Sequence, residues 1–325
     1  MKLSNRKLLG ILFVLLAIYA GIRFWGGTSR SKTLKETLVN IQRDRVSRVL
    51  IDKGGEQLEL INQDNSWKVK LDNGKYAQAM ESSAKELLSN LASIQPSRLV
   101  AKRATQWKDY QVDSTGTRVQ VFEGEKRTLD IVLGRLAMKA QPQNIQPGMY
   151  GRQQQAFYSF VRLQGDENVY AADNFMSLSV STKADAYRNK KLLTFNRDSI
   201  HRVSFLLPDE KSFVLEKTAD KQWEIEGQQA DSVHVEHYLS ELAYVNGQAF
   251  ADGVNPEGFT KAAYSLLINE EGKPEPVQVH IFEHPQYKFI LNSSENKEAY
   301  FADPDSLLFK QIVKYPLDFI KQETN

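Results

Sequence analysis

Apolar and polar residues alternate in short runs through most of the chain beyond residue 45. The first three runs cover residues 46–51, 58–60 and 67–69, with Gly54-Gly55 and Asn65 between them. A period of two is typical of a strand with one buried face, and glycine or asparagine between such runs is typical of a turn. The pattern therefore predicts short antiparallel strands here. Similar runs predict strands at residues 118–123, 128–133, 156–163, 168–171, 203–206, 213–215, 223–225, 277–282 and 287–291.

Two other stretches have the spacing of a helix. Apolar residues at intervals of three and four fall on one face of an α-helix, where they can pack against a sheet. We expect the first helix to end at Pro96, because proline cannot continue it. The apolar positions are Met80, Ala84, Leu87, Leu88, Leu91 and Ile94 in the first stretch, and Val235, Leu239, Leu242 and Val245 in the second.

The same order of elements occurs twice. The pattern R-D-x-[V/I]-x-R-V occupies residues 43–49 and again residues 197–203, and each copy is followed by strands that include Trp67 or Trp223. The copies are 154 residues apart and the tryptophans 156 residues apart, so an insertion of two residues accounts for the difference. Because the order is kept, we interpret the two stretches as repeats.

Some repeat positions are expected to be structural anchors. A buried indole removes a large apolar area from water, so Trp67 and Trp223 are predicted to be core residues. Asp44 and Asp198 are predicted to cap a turn or form a local ion pair at the start of each repeat. Further matches are Val-Gln-Val at 119–121 and 277–279, and Tyr-Ala-Ala-Asp at 170–173 opposite Tyr-Phe-Ala-Asp at 300–303.

An apolar segment precedes the first repeat. Residues 8–22 are uncharged and follow a basic leader, and counted to Gly27 the segment approaches the ~20 residues that a helix needs to cross a bilayer. We expect a transmembrane signal anchor at residues 1–27 and a basic linker at residues 28–37. A cleaved signal peptide is the alternative interpretation.

Together these patterns predict an α+β fold. It consists of two tandem copies of an antiparallel-sheet-plus-helix unit behind one N-terminal transmembrane helix. Repeat one is assigned to residues 38–190 and repeat two to residues 191–325. The bulk of the chain is expected outside the cytoplasm.

The charge balance changes along the chain. The first 35 residues carry seven basic and no acidic residues, so the remainder has 35 basic against 40 acidic residues, a formal net charge of −5. A mildly acidic body argues against nucleic acid as a partner, since phosphate contacts need clustered cations. The chain has no cysteine, which excludes disulfides, zinc–thiolate sites and cysteine nucleophiles.

His234 and His237 are the best metal candidates. Residues three apart on a helix share a face, so both imidazoles could serve zinc with a third ligand. H-E-x-x-H spacing is absent, and a solvated helix surface is the favoured interpretation. His201, His280 and His284 are expected at ordinary surface positions. No nucleotide-binding or nucleophile-elbow motif occurs, so we expect no catalytic residue and no cofactor.

An aromatic cluster lies near a proline-rich stretch at residues 139–148, which is predicted to be an exposed hairpin tip. The cluster consists of Tyr150, Phe157, Tyr158 and Phe160. Core packing explains most of it, and a surface for a partner or a glycan is the alternative.

Four features point to one family. They are the join at residues 188–195 (R-x-K-x-L-L-x-F), the strand–Trp–strand–helix opening of each repeat, Tyr-Gln-Val-Asp at residues 110–113, and Tyr-Ala-Ala-Asp at residues 170–173 before a short helix. In these features residues 38–321 resemble the domain of unknown function 4340 family. The family pattern there is Y-G-L-D, so Gln111 stands in place of a glycine. The resemblance implies an envelope protein with one amino-terminal span, of a kind often encoded beside ABC-type transport components. It implies no catalytic residue.

We therefore expect a non-enzymatic accessory protein, single-pass in the bacterial cytoplasmic membrane with its bulk in the periplasm. It would contact a membrane complex such as an ABC-type transporter of the gliding-motility type. A binding module for cell-wall glycan or peptide is the alternative, and a metal-dependent hydrolase is a third hypothesis.

Overall fold

The structure, a computed structural model, describes residues 37–138 and 157–320. The predicted anchor at residues 8–27, the predicted tip at residues 139–148 and Tyr150 lie outside these ranges. No helix within them is both long and apolar enough to cross a membrane. The fold is predominantly antiparallel sheet with a few short helices. The described residues form two units: those within 1–76 and 81–186, and those within 77–80 and 187–325.

The first unit is built on a nine-stranded sheet. Its order is β4-β3-β2-β1-β6-β7-β8-β9-β5. The strands are β1 (Val46–Lys53), β2 (Glu56–Gln63), β3 (Ser66–Lys70), β4 (Tyr76–Gln78), β5 (Pro96–Ala101), β6 (Thr117–Glu123), β7 (Lys126–Met138), β8 (Phe157–Leu163) and β9 (Val169–Asp173). The alternation in the sequence is visible in β1, where Val49 and Ile51 are buried, and in β2, where Leu58 and Leu60 are buried.

Helix α1 (Glu81–Ala92) buries the face that the sequence predicts, through Ala84, Leu87, Leu88 and Leu91. The helix ends at Ala92 rather than at Pro96, because Pro96 already begins strand β5. Strand β5 is at the edge of the sheet, where a residue without an N–H is tolerated. A second short helix, α2 (Trp107–Tyr110), follows β5.

The second unit contains a nine-stranded sheet with the order β14-β13-β12-β11-β17-β18-β19-β20-β16. The strands are β11 (Ile200–Leu206), β12 (Phe213–Lys217), β13 (Trp223–Ile225), β14 (Gln228–Gln229), β16 (Ala249–Phe250), β17 (Tyr264–Glu270), β18 (Val277–His284), β19 (Lys288–Ser293) and β20 (Asn296–Asp303). A separate pair, β10 (Lys191–Thr194) and β15 (Tyr244–Asn246), is also antiparallel.

Two helices, α3 (Ser232–Leu242) and α4 (Leu307–Ile312), contribute to the core of the second unit. The Asp231 side chain accepts a hydrogen bond from the backbone N–H of Val233 and so caps α3. The buried Phe205 stacks on Phe213, with ring centroids 4.3 Å apart. Tyr238 on α3 donates from its hydroxyl to the backbone oxygen of Ile312, which ties the two helices together.

One predicted match between the repeats is wrong. Residues 119–121 are in β6, which lies beside β1, whereas residues 277–279 are in β18; the strand beside β11 is β17. The sequence patterns missed β17. Leu266, Leu267 and Ile268 are consecutive apolar residues, and the strand ends on a buried carboxylate, Glu270, so the alternation is concealed.

Candidate functional site

The residues predicted to be anchors lie in the core or in turns. Trp67 and Trp223 are both buried, and the Trp223 Nε1 donates to Glu236 Oε1 at 3.1 Å. Asp44 and Asp198 lie in short 3-10 turns, Arg43–Arg45 and Arg197–Ser199, that precede β1 and β11. These four residues therefore explain local structure rather than a site.

The two metal candidates lie on the exposed face of α3. His234 Nδ1 is 3.7 Å from Asp231 Oδ2, and His237 Nδ1 is 3.7 Å from Glu241 Oε2. Each histidine thus has a carboxylate partner on its own helix. Within the described residues, no group of three or more potential metal-ligating side chains comes together.

The join motif at residues 188–195 begins with an arginine that forms an ion pair in the second unit. The guanidinium of Arg188 binds both carboxylate oxygens of Asp252, at 2.6 and 2.7 Å, and lies 3.3 Å from the ring centroid of Phe250. Arg188 is buried, so this bidentate geometry satisfies a charge that has been removed from water. Leu192 and Leu193 are fully buried in the core of the same unit. The join motif is therefore structural.

The Tyr-Gln-Val-Asp stretch forms a tight turn after α2. Gln111 has φ 55° and ψ 39°, and its backbone N–H bonds to the carbonyl oxygen of Lys108. Two glycines lie so close to the backbone of this turn that neither position has space for a side chain. A Cβ on Gly134 would be 2.2 Å from the Tyr110 oxygen, and one on Gly116 would be 2.5 Å from the Gln111 oxygen.

A buried arginine holds the same turn. Arg162 Nε donates to the carbonyl oxygen of Val112 at 3.0 Å, and its guanidinium lies 3.8 Å from the ring centroid of Trp107. The guanidinium also donates to the backbone oxygens of Leu163 and Asp166 and to the side-chain oxygen of Gln164. Burial lowers the pKa of Arg162, because the charged form loses hydration. We assign Arg162 a role in positioning the turn.

The residues of the predicted aromatic cluster differ in their burial. Phe160 is buried against Tyr110, with ring centroids 4.6 Å apart, and belongs to the core, so its assignment to a partner surface is corrected. Tyr158 is half-buried beneath the guanidinium of Arg98 at 4.5 Å. Phe157 is half-buried at the start of β8.

Phe157 lies in what we call the apolar patch (Met138, Phe157, Met176 and Leu178). Met138 pairs with Phe157 across β7 and β8, and the 3-10 turn that contains Leu178 contacts β7. Met138, Met176 and Leu178 are 67%, 41% and 69% exposed. Neighbouring exposed apolar side chains are typical of an interaction surface.

Hydrogen bonds fix the loop that carries part of the patch. The N–H of Asn174 donates to the carbonyl oxygen of Phe157 at 3.0 Å. The buried hydroxyl of Ser159 donates to the Phe175 oxygen at 2.8 Å and accepts from the Ser177 N–H at 2.9 Å. The loop is thus held against β8, so the patch is preorganised.

A concave surface lies in the second unit. We call it the groove; its volume is about 1470 Å³. Its floor is formed by outward-facing residues of β17 and β18, including Ser265 and His280. Its walls come from the loop after β11, from residues 253–263, and from the turn between β18 and β19. Tyr287 lies in that turn.

Ser265 and His280 form a cross-strand pair in the groove. Ser265 Oγ is 2.9 Å from His280 Nδ1. Burial lowers the pKa of His280, so the imidazole is neutral near pH 7. In a Ser-His-Asp triad the serine bonds Nε2 and the acid holds Nδ1. Here the serine occupies Nδ1, so the pair does not have the triad arrangement.

Aromatic rings line one wall of the groove. The rings of His284 and Tyr287 are stacked at 5.2 Å, and Phe259 packs on Phe282 at 4.7 Å. His284 Nδ1 accepts from the backbone N–H groups of Gln286 and Tyr287, so the neutral ring carries its proton on Nε2.

The prediction that His280 and His284 are ordinary surface residues is thus corrected, because both line the groove and are half-buried. His201 is also half-buried, and its Nδ1 has no hydrogen-bond partner among the described residues. The sequence did contain a signal for the groove. In β18, Gln278, His280, Phe282 and His284 alternate with the core residues and so share the face away from the helices.

Fold and site together define a two-unit, mainly antiparallel protein with an apolar patch on one unit and a mixed aromatic and polar groove on the other. A family model described as domain of unknown function (DUF4340) matches residues 67–266. The chain belongs to this family, and the match spans the Tyr-Gln-Val-Asp turn and the join. No curated protein and no solved structure matches the chain.

Proposed function

We propose that this protein is a non-enzymatic accessory protein that is held in the cytoplasmic membrane by residues 8–27. Its two units lie on the extracytoplasmic side and contact a membrane complex such as an ABC-type transporter. The observation that carries the proposal is the apolar patch on the first unit. The apolar segment with its basic leader supports the tether.

The patch has the properties of a protein-binding surface. Its side chains are apolar and all but Phe157 are exposed, so covering them gains roughly 25 cal/mol for each Å² removed from water. Two of them, Met138 and Met176, are methionines, which adapt to the shape of a partner. The hydrogen bonds of Ser159 hold the loop in place before binding, which reduces the entropy that binding costs.

Crosslinking in intact cells tests the proposal. A photoreactive side chain at Leu178 should give a discrete adduct with an integral membrane protein, and fractionation should place the full chain with the membranes. A photoreactive side chain at Tyr244, which is exposed in the second unit, is the matched control and should give no such adduct. Leu178→Ser should reduce co-purification of the partner at least about tenfold, as expected for a central apolar contact. Absence of an adduct at Leu178, with the chain intact, contradicts the proposal.

We also propose that the two units are copies of one ancestral unit. The two sheets have the same strand order when β1–β4 are matched with β11–β14, and β5–β9 with β16–β20. The pairing with the next strand is irregular between Val46 and Arg48 in the first unit and between Ile200 and Arg202 in the second, again 154 residues apart. A shared bulge is a local detail that a common strand order does not by itself require.

A carboxylate adjoins each bulge. Glu123, at the end of β6, accepts from the N–H of Gln42 at 2.8 Å. Glu270, at the end of β17, accepts from the N–H of Asn196 at 3.1 Å. Gln42 and Asn196 are the residues immediately before the two 3-10 turns. The same interaction at matched positions supports the duplication.

A further inference from the structure

The groove of the second unit is larger and more open than a pocket for one small molecule. Its volume of about 1470 Å³ exceeds the ~300–1000 Å³ that is usual for small-ligand sites. A ligand that fills it must therefore be longer than a single ring or amino acid. It lies on the second unit, whereas the apolar patch lies on the first, so the two surfaces are independent features.

The charges of the lining restrict the ligand. The acidic and basic side chains that face the groove are Asp209, Glu283 and one lysine, Lys261. A polyanion needs several clustered cations, and a strongly basic ligand needs more than two dispersed carboxylates. His280 adds no charge near neutral pH, because burial lowers its pKa. The lining is thus suited to an uncharged ligand.

The backbone of the groove argues against an extended peptide. A peptide commonly binds a sheet by adding a strand to an exposed edge. Strand β17 is paired with β11 and β18, and β18 is paired with β17 and β19. Both floor strands are interior, so their backbone groups are already bonded within the sheet. Recognition at the floor of the groove must therefore depend on side chains.

The side chains offer aromatic faces beside hydrogen-bonding groups. Phe259, His284 and Tyr287 are half-buried, so part of each ring faces the groove. Asn255 and Gln286 are exposed nearby and carry amide groups that both donate and accept. A sugar ring has the complementary pattern, with an apolar C–H face and a rim of hydroxyl groups.

We propose that the groove is a binding site for an uncharged oligosaccharide of several sugar rings. The Tyr287 and His284 stack contacts the C–H face of one ring. The Ser265 and His280 pair on the floor bonds hydroxyl groups. Asn255 and Gln286 on the walls bond further hydroxyl or amide groups of the same chain.

Calorimetric titration of the full chain tests the proposal, in a polyoxyethylene detergent so that no sugar headgroup competes. The probes are cellotetraose and the β-1,4-linked tetramer of N-acetylglucosamine. At least one should bind with a stoichiometry of one. Tyr287→Ala should weaken that binding at least about tenfold, because the variant lacks the aromatic ring that contacts the sugar face. Tyr287→Phe, which keeps the ring, should bind within about threefold of the wild type.

Tyr244→Ala is the matched control, because Tyr244 is exposed on the same unit outside the groove, and its binding should equal that of the wild type. An uncharged Gly/Ser/Ala hexapeptide is the competing probe. Three outcomes overturn the proposal: no heat with either tetramer at millimolar concentration, binding of the hexapeptide alone, or equal binding by Tyr287→Ala and the wild type.

Discussion

At the scale of single residues, backbone conformation and close approach decide which side chains are tolerated. Gln111 has a φ of 55°, in the left-handed region where a side chain other than glycine costs about 1 kcal/mol. The turn still forms, because Arg162 bonds the carbonyl of the next residue and Val112 is fully buried. The departure from the family glycine therefore leaves the turn in place.

Gln111→Gly should raise the free energy of unfolding by about 0.5–1 kcal/mol, because glycine has no Cβ to strain the turn. Part of the gain is offset by the greater freedom of glycine in the unfolded chain. Gln111→Val should instead lower it by about 1–2 kcal/mol, because a β-branched residue disfavours this region more. Denaturation with urea measures all three proteins. Identical midpoints would show that the turn relaxes without cost.

Gly247 shows a steric requirement of a different kind. A Cβ at this position would be 1.9 Å from a ring carbon of Phe301, which is fully buried. Gly247→Ala should therefore lower the free energy of unfolding by about 3 kcal/mol, since overpacking moves a core ring. Gly253→Ala is the matched control in the same unit, because a Cβ there meets nothing within 4 Å. A thermal unfolding midpoint that falls equally for both variants would contradict this explanation.

At the scale of elements, the first strand of each sheet begins in the same way. Burial alone would raise the pKa of Glu270, but hydrogen bonds from Lys273 and Asn196 outweigh it and lower the pKa. The ionised carboxylate thus holds the turn before β11, as Glu123 holds the turn before β1. The number of residues between each turn and its glutamate does not matter for this hydrogen bond. Strand β6 lies beside β1, and β17 lies beside β11, in their sheets.

Glu123→Ala and Glu270→Ala should each remove the carboxylate that now accepts a hydrogen bond from a backbone N–H. Hydrogen exchange should become at least about tenfold faster at Gln42 in the first variant and at Asn196 in the second, since a bond to a charged group is worth about 1.5–3 kcal/mol. Each variant controls for the other, because the amide in the unmutated unit should keep its rate. If only one of the two amides responds, the matched role of the carboxylates is wrong.

The alternation of side chains that marks a strand could be recognised in the sequence, but which strands pair with each other could not. The runs in β1–β3 and β11–β13 were predictable because side chains alternate between faces whatever the partner strand is. β17 was missed because consecutive apolar residues and a buried glutamate conceal the alternation. The groove residues Ser265 and His280 are 15 positions apart, and only the register of β17 on β18 makes them neighbours.

At the scale of the whole molecule, pH dependence follows from the groups that burial perturbs. The pKa of His280 is lowered from 6.5 by burial. As the pH falls through 6.5, the unfolded chain binds a proton that the folded chain resists, so stability falls. The loss levels off once the pH is below the folded-state pKa. Glu270, with its pKa lowered from 4.5, titrates below this window.

The difference in unfolding free energy between the wild type and His280→Asn should therefore shrink between pH 7.5 and pH 5. Asparagine can keep a hydrogen bond to Ser265 but has no proton to gain in this range. Urea denaturation at half-unit intervals measures the difference. Gln228→Asn, an exposed substitution in the same unit at a residue that does not titrate, should show no comparable trend. A difference that stays constant for His280→Asn would refute the assignment of the titration to this residue.

By itself, the sequence determined the local features: alternating strands, the two amphipathic helices, the buried tryptophans, and membership of the domain of unknown function 4340 family. These depend on side-chain period and short motifs, which neighbouring residues set. The tertiary structure alone decided the strand order, the burial of Glu270, the partial burial of His280, the apolar patch and the groove. Those depend on which distant segments pair, and pairing is chosen by the whole core rather than by any one segment.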